Sequence, residues 1–185
     1  DDVWVGTRFG VWRLDTHTMA LQEVPFFQGG RSPIVNTITS DAQGMLLVGT
    51  YSGMYRIDPQ SRQYVMFRKH QALLPTVNVR SIFLDRSGVI WLGSRENGLY
   101  YARHSKSAFS SLQAVLPRLD PEQLRQTVTA VTANERYIWL GTAAGLLEID
   151  REQETLRKLS TAGRVNALVQ GQQHEVYVAT DAGLF

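Results

Sequence analysis

Acid–base or metal chemistry in this chain would have to come from His17, His70, His104 and His174 and from its carboxylates. Each histidine falls in a turn-like stretch of a different part of the sequence. None stands at metal-ligand spacing from another histidine, and cysteine is absent. No GxSxG, HExxH or phosphate-loop pattern occurs. The paired acids Asp1 and Asp2 lie at the start of the chain, and other aspartates stand at strand ends, where turns need them. No catalytic residue, metal or cofactor is expected.

Binding chemistry has better material. Arg8, Phe9, Arg31, Tyr51, His70, Arg95, Glu96, Asn97, Arg164 and Asp181 are charged, polar or aromatic residues in predicted loops. Guanidinium and carboxylate groups fix polar or carboxylated ligands, and aromatic rings stack on ring-bearing ones. Taken singly, each is an ordinary solvated loop residue. They form a ligand site only if the fold gathers them, so the elements that carry them decide the matter.

Those elements repeat. Val3-Trp4-Val5-Gly6-Thr7 returns as Leu46-Leu47-Val48-Gly49-Thr50, Ile90-Trp91-Leu92-Gly93-Ser94, Ile138-Trp139-Leu140-Gly141-Thr142 and Val176-Tyr177-Val178-Ala179-Thr180. From Gly6 to Gly49, Gly93, Gly141 and Ala179 the steps are 43, 44, 48 and 38 residues. One four-stranded propeller blade takes roughly 40–45 residues. Short apolar runs with a period of two, bounded by Gly, Asp and Ser, read as strands rather than helices.

Four strands are predicted per unit. The first is Val35 to Ser40, matched by Val79 to Leu84, Val128 to Val131 and Val165 to Leu168. A turn follows, Asp41-Ala42-Gln43-Gly44 or Asp85-Arg86-Ser87-Gly88, in which Asp accepts backbone amides and Gly tolerates positive φ. The second strand is the repeated phrase. The third starts at Gly10, Gly53, Gly98, Gly145 or Gly183, and the fourth covers Gln22 to Phe26, Gln63 to Phe67 and Leu156 to Leu159. The fold class is therefore all-β: a β-propeller of four-stranded antiparallel blades, present as an incomplete arc of about four. Approximate blades are 1–27 (partial), 34–67, 77–112, 127–159 and 163–185 (partial), with an inserted loop at 113–126.

Residues shared by every blade are structural. The bulky residue two before the marker glycine (Trp4, Leu47, Trp91, Trp139, Tyr177) is expected to fill the wedge between sheets. Recognition is left to residues that differ between blades. In a propeller, the loops joining strands two and three share one face with the loops joining blade to blade. The ten candidate residues lie in those loops.

The insert contains Leu119-Asp120-Pro121-Glu122-Gln123-Leu124, with Asp120 as helix N-cap, Pro121 in the first helical position and Gln123 at a capping-box site. It reads as a short helix on a tolerant loop, in preference to a lid or partner contact. The chain is 43% hydrophobic and 19% charged, an ordinary globular balance. A net charge of +2 without any Lys/Arg run gives no case for nucleic acid. No stretch reaches the roughly 18 apolar residues of a membrane helix. The sequence opens inside a second strand and closes inside a third. A piece of a longer propeller is the expectation, with apolar end faces covered by further blades or by another copy.

The unit Val79…Ile82…Asp85…Gly88…Trp91-Leu92-Gly93-Ser94…Gly98-Leu99-Tyr100, repeated at Val35…Ile38…Asp41…Gly44…Val48-Gly49-Thr50…Gly53-Met54-Tyr55-Arg56-Ile57-Asp58, resembles the two-component regulator propeller repeat. The later copies lack the Asp-x-x-Gly turn. The resemblance implies a periplasmic, ligand-reading sensor domain that precedes a membrane helix and an intracellular histidine kinase or diguanylate cyclase module. It also implies an oligosaccharide or other small-molecule ligand. Because blades are rigid and a sensor needs two states, signalling is expected through a homodimer of the full receptor. Alternatives are a protein-interaction scaffold and, further off, a propeller lyase.

Overall fold

The computed structural model describes residues 2–26, 32–61, 63–67, 77–103, 109–112, 116–159, 161, 163–171 and 175–185. The first sheet is β1 (Asp2–Thr7), β2 (Gly10–Asp15) and β3 (Leu21–Val24). The second is β4 (Val35–Ser40), β5 (Leu46–Thr50), β6 (Gly53–Ile57) and β7 (Tyr64–Met66). The third is β8 (Val79–Leu84), β9 (Val89–Ser94), β10 (Leu99–Arg103) and β11 (Ser110–Ser111). The fourth is β12 (Val128–Ala133), β13 (Tyr137–Thr142), β14 (Gly145–Asp150) and β15 (Thr155–Leu159). The fifth is β16 (Val165–Gln170), β17 (Val176–Thr180) and β18 (Gly183–Leu184). Strands pair antiparallel in chain order within each sheet.

Sheets pack in series, β1 on β4, β4 on β8, β8 on β12 and β12 on β16. The innermost strands β4, β8, β12 and β16 are thus mutual neighbours, which makes the order radial: an arc of propeller blades. Among the described residues the first sheet has no strand in the innermost position and the fifth none in the outermost.

The marker glycine is the joint between blades. A Cβ built on Gly6 would lie 2.5 Å from Val35 Cγ1 of the next sheet, and the same test gives 2.6 Å for Gly49 with Val79 and for Gly93 with Val128. Gly141 meets Val165 at 2.5 Å. Each blade therefore offers a hole that the next blade's first-strand valine fills. Around these joints lie four apolar clusters, one per interface between successive sheets. Leu47, Trp91 and Trp139 are buried in them as wedges. Trp4 is half-buried and Tyr177 is 48% exposed, because the latter faces outward from the last sheet. The outward faces of both end sheets stay apolar and open, with Val3, Val5 and Leu21 at one end and Val169, Tyr177 and Leu184 at the other.

Charge is handled blade by blade. Asp41 Oδ1 accepts the amides of Gln43 and Met45, and its Oδ2 accepts both Nε and a terminal nitrogen of Arg56. In the third sheet the matching Asp85 holds its turn in the same way, while Oδ2 takes the Trp91 indole at 2.9 Å. The fourth sheet has Asn134 at its turn, and Trp139 turns its indole to Glu148 instead. Each buried indole N–H thus finds an acceptor. The degenerate turn is compensated by a carboxylate from the third strand.

The insert is more than the tolerant loop expected from sequence. Its helix α1 (Pro121–Leu124) is one turn long, and Asp120 Oδ1 accepts the Glu122 amide as the capping pattern requires. Yet Leu112, Leu116, Leu119 and Leu124 are all buried in the cluster between the third and fourth sheets. The Leu124 carbonyl sits against Gly98, whose φ of +68° lets the hairpin pass beneath it. Apolar side chains here add to the core, which is why the segment is not free to act as an arm.

Candidate functional site

The hairpins joining the second and third strands are locked by one device. The Thr7 hydroxyl donates to the Gly10 carbonyl and accepts the Phe9 amide, each at 3.0 Å. Thr50, Ser94, Thr142 and Thr180 do the same for Gly53, Gly98, Gly145 and Gly183. This leaves the two or three residues between hydroxyl and glycine projecting from the end of the blade. Three of those hairpins are tied to the entry of their own innermost strand: the amides of Tyr51, Arg95 and Asp181 donate to the carbonyls of Ile34, Asn78 and Arg164. Hairpin tips and strand entries therefore form one rim around the axis.

Arg8, Phe9, Tyr51, Arg95, Glu96, Asn97, Arg164 and Asp181 all stand on this rim, exposed to solvent. Arg31 and His70 lie outside the described residues. Phe9 is 75% and Tyr51 58% exposed, on neighbouring blades at the same end. The Arg95 guanidinium lies 3.7 Å from Glu96, and Asp181 accepts the Asn166 amide at 2.7 Å. The set shares an edge of the molecule without forming one cluster, since the fourth hairpin between them carries only Ala143 and Ala144.

Sequence reasoning passed over a better-placed ring. Each innermost strand shifts register at its start, between Val35 and Thr37, Val79 and Ser81, Val128 and Ala130, and Val165 and Ala167. The extra residue of each bulge is Asn36, Arg80, Thr129 or Asn166. Bulges release a side chain from the ladder and re-aim it. All four are polar, three residue types appear among them, and they lie on the strands nearest the axis. Asn36 Nδ2 donates to Asn78 Oδ1 at 3.0 Å and to the Val79 carbonyl at 2.8 Å, so it spans two blades. The Thr129 hydroxyl likewise reaches Gly141 and, on the next blade, Val165. Thr127 bonds the Arg95 carbonyl of the hairpin before it at 2.6 Å.

A sequence signal for these bulges exists. In Val35…Ile38, Val79…Ile82, Val128…Val131 and Val165…Leu168, both apolar residues of each pair pack into the same cluster. Positions three apart face opposite ways in a regular strand. Their common burial requires one inserted residue.

Among the described residues no group of three or more His, Cys, Asp or Glu could hold a metal ion. No described helix is long and apolar enough to cross a membrane. Lowered carboxyl values belong to turns that lead into the outer strands. The amides of Thr18 and His17 hold Asp15 below the ordinary carboxylate value, and the Ser61 hydroxyl with the Gln60 amide does so for Asp58. These serve folding, not the rim.

Residues 73–96 match the family described as two component regulator propeller. No curated protein matches the chain. The fold is similar to the extracellular domain of BT4673 from B. thetaiotaomicron, described as a hybrid two component system. The TM-score there is 0.78 and the identity 17%, with 100% of this chain and 25% of that one covered. The extracellular domain of BT3049 from the same organism gives a TM-score of 0.76 at 20% identity, over 99% of this chain and 25% of that one. The computationally designed Ika4 protein aligns at 0.59 and 14% identity, over 89% and 97%. The chain thus spans about a quarter of the natural structures it matches.

Proposed function

We propose, from the two-component regulator propeller repeat at residues 73–96, that this chain is a ligand-reading segment of a bacterial transmembrane signalling receptor. It works on the extracytoplasmic, periplasmic side, and its ligand is a small molecule of the oligosaccharide class. The kinase or cyclase output lies beyond it, across a membrane helix. The chain itself does no catalysis. The observation that carries this reading is the division of labour between residues. What repeats in every blade makes joints and turns, and what varies stands along one axial rim bearing exposed aromatic, cationic and anionic groups. Phe9 and Tyr51 offer faces for sugar rings, while the exposed Arg95, Glu96 and Asn97 of the third hairpin offer donors and acceptors for hydroxyls.

A sensor must bind its ligand differently in two states. Blades joined by valine-in-glycine packing have little freedom to change internally. Signal therefore passes through the arrangement of two receptor copies, which ligand at the rim alters. The test is a calorimetric screen of soluble oligosaccharides against the chain and against a rim variant carrying Arg8→Ala, Tyr51→Ala, Glu96→Ala and Asp181→Ala. Binding that the variant loses supports the reading. Binding that the variant keeps, or no binding across neutral and acidic oligosaccharides alike, refutes it.

A further inference from the structure

Resting on that reading, we propose that the axial mouth takes an anionic ligand and that Arg80 holds its carboxylate or sulfate group. Of the four bulge residues, three are neutral and have a polar group engaged within the rim. Asn36 bonds two acceptors, Thr129 two carbonyls, and Asn166 the Asp181 carboxylate at 2.7 Å. Arg80 is the exception. It is half-buried on the innermost strand, and its single side-chain hydrogen bond among the described residues goes to the Asn36 amide oxygen at 3.5 Å.

A guanidinium carries five N–H donors in a fixed fork. Withdrawing it partly from water without a counter-charge is unfavourable, and a carboxylate meeting two of its donors at once reverses that. The rim's own acids do not supply the counter-charge. Glu96 faces Arg95, and Asp181 accepts from Asn166. Two residues before Arg80, Asn78 is 4% exposed and uses its Oδ1 to hold Asn36, while its Nδ2 has no partner among the described residues. Asn78 and Arg80 both meet Asn36, so a second donor is left over in the same hydrogen-bonded group. Arg8 and Arg164, exposed on the same rim, add positive potential without fixed carboxylate partners among the described residues.

The experiment uses glucuronate, glucose and acetate as probes of the 185-residue chain, followed by the Arg80 Nε–H and Asn78 side-chain amide resonances. Glucuronate is expected to shift both saturably, less tightly as salt rises, and acetate to shift them more weakly; glucose is expected to leave them unmoved. Arg80→Gln should weaken glucuronate binding by about tenfold or more, in line with a lost charge-assisted pair. Arg80→Lys, which keeps charge but not the fork, should fall between. Arg86→Gln, in the exposed turn at the opposite end of the blade, should change it by less than about threefold, as expected of a screened surface charge. A glucose response equal to that of glucuronate overturns the proposal, as does Arg80→Gln with unchanged binding or silence toward both acids. Neutral sugars moving rim resonances while Arg80 stays still would sink this inference and leave the sensor reading standing. Acetate moving Arg80 while no sugar binds would do the reverse.

Discussion

Replacing Gly141 by Ala puts a methyl where the fourth blade needs none. The added Cβ would lie 2.5 Å from Val165 Cγ1, 3.0 Å from Val165 Cβ and 3.3 Å from Ala130 Cβ. Val165 is fully buried and set at the start of an innermost strand, so it cannot swing aside. Overpacking of this kind costs about 1–3 kcal/mol. Val165→Ala alone deletes the opposing methyls and leaves a void, at about 2 kcal/mol from roughly 0.8 per buried methyl plus the cavity. If the two side chains are knob and hole, the double variant relieves the clash and fills part of the void. It should then be less destabilised than the sum of the singles by about 1 kcal/mol or more, within the range for residues in contact. Urea unfolding of the wild type, both singles and the double, followed by tryptophan fluorescence, gives the coupling. Additivity within about 0.5 kcal/mol would refute the joint. The chain contains its own precedent in Ala179, on the outward face of the fifth sheet, where no described strand brings a valine.

Three further outcomes follow from the same geometry. Trp91→Phe leaves one oxygen of the buried Asp85 without its indole donor, and chemical denaturation should show a loss of about 1–3 kcal/mol. Leu124→Ala should cost about 2–4 kcal/mol, because the insert is part of the core; a loss under about 0.5 kcal/mol would return it to the status of a loose loop. The Ser61 hydroxyl and the Gln60 amide hold the native Asp58 carboxyl below 3.8, and the Thr18 and His17 amides do so for Asp15. A lowered native value means their contribution is complete above the unfolded value and is lost as pH falls through the native one. Stability measured between neutral pH and about pH 2 should therefore drop at the acid end, less steeply in the Asp15→Asn, Asp58→Asn variant than in wild type.

The fold could be read from sequence because its cohesive elements are local and repeated. A glycine that must be a hole, a tryptophan that must be a wedge and an aspartate that must cap a turn recur in order, so the strands follow from them. The first strands of the fourth and fifth sheets run two residues beyond the expected Val131 and Leu168, to Ala133 and Gln170. Polar Thr132 at 1% exposure shows why composition alone stopped short. The rim was legible only as a set of loops. Its inner ring at Asn36, Arg80, Thr129 and Asn166 was not, because a bulge depends on register with the neighbouring strand, which no single segment states. The packing of the insert was not legible for a related reason. Leu116, Leu119 and Leu124, with Leu112 just before it, have no regular period, and only the packing of two blades shows that they share a core.

Hydrogen exchange on the chain with and without a bound oligosaccharide tests the central claim most directly, since it asks which end of the blades reads the ligand. Protection should fall on strand entries and hairpin tips at 34–36, 78–80, 95–97, 127–129 and 164–166. Protection confined instead to the turns at the opposite end, 41–44, 85–88 and 134–136, would contradict it.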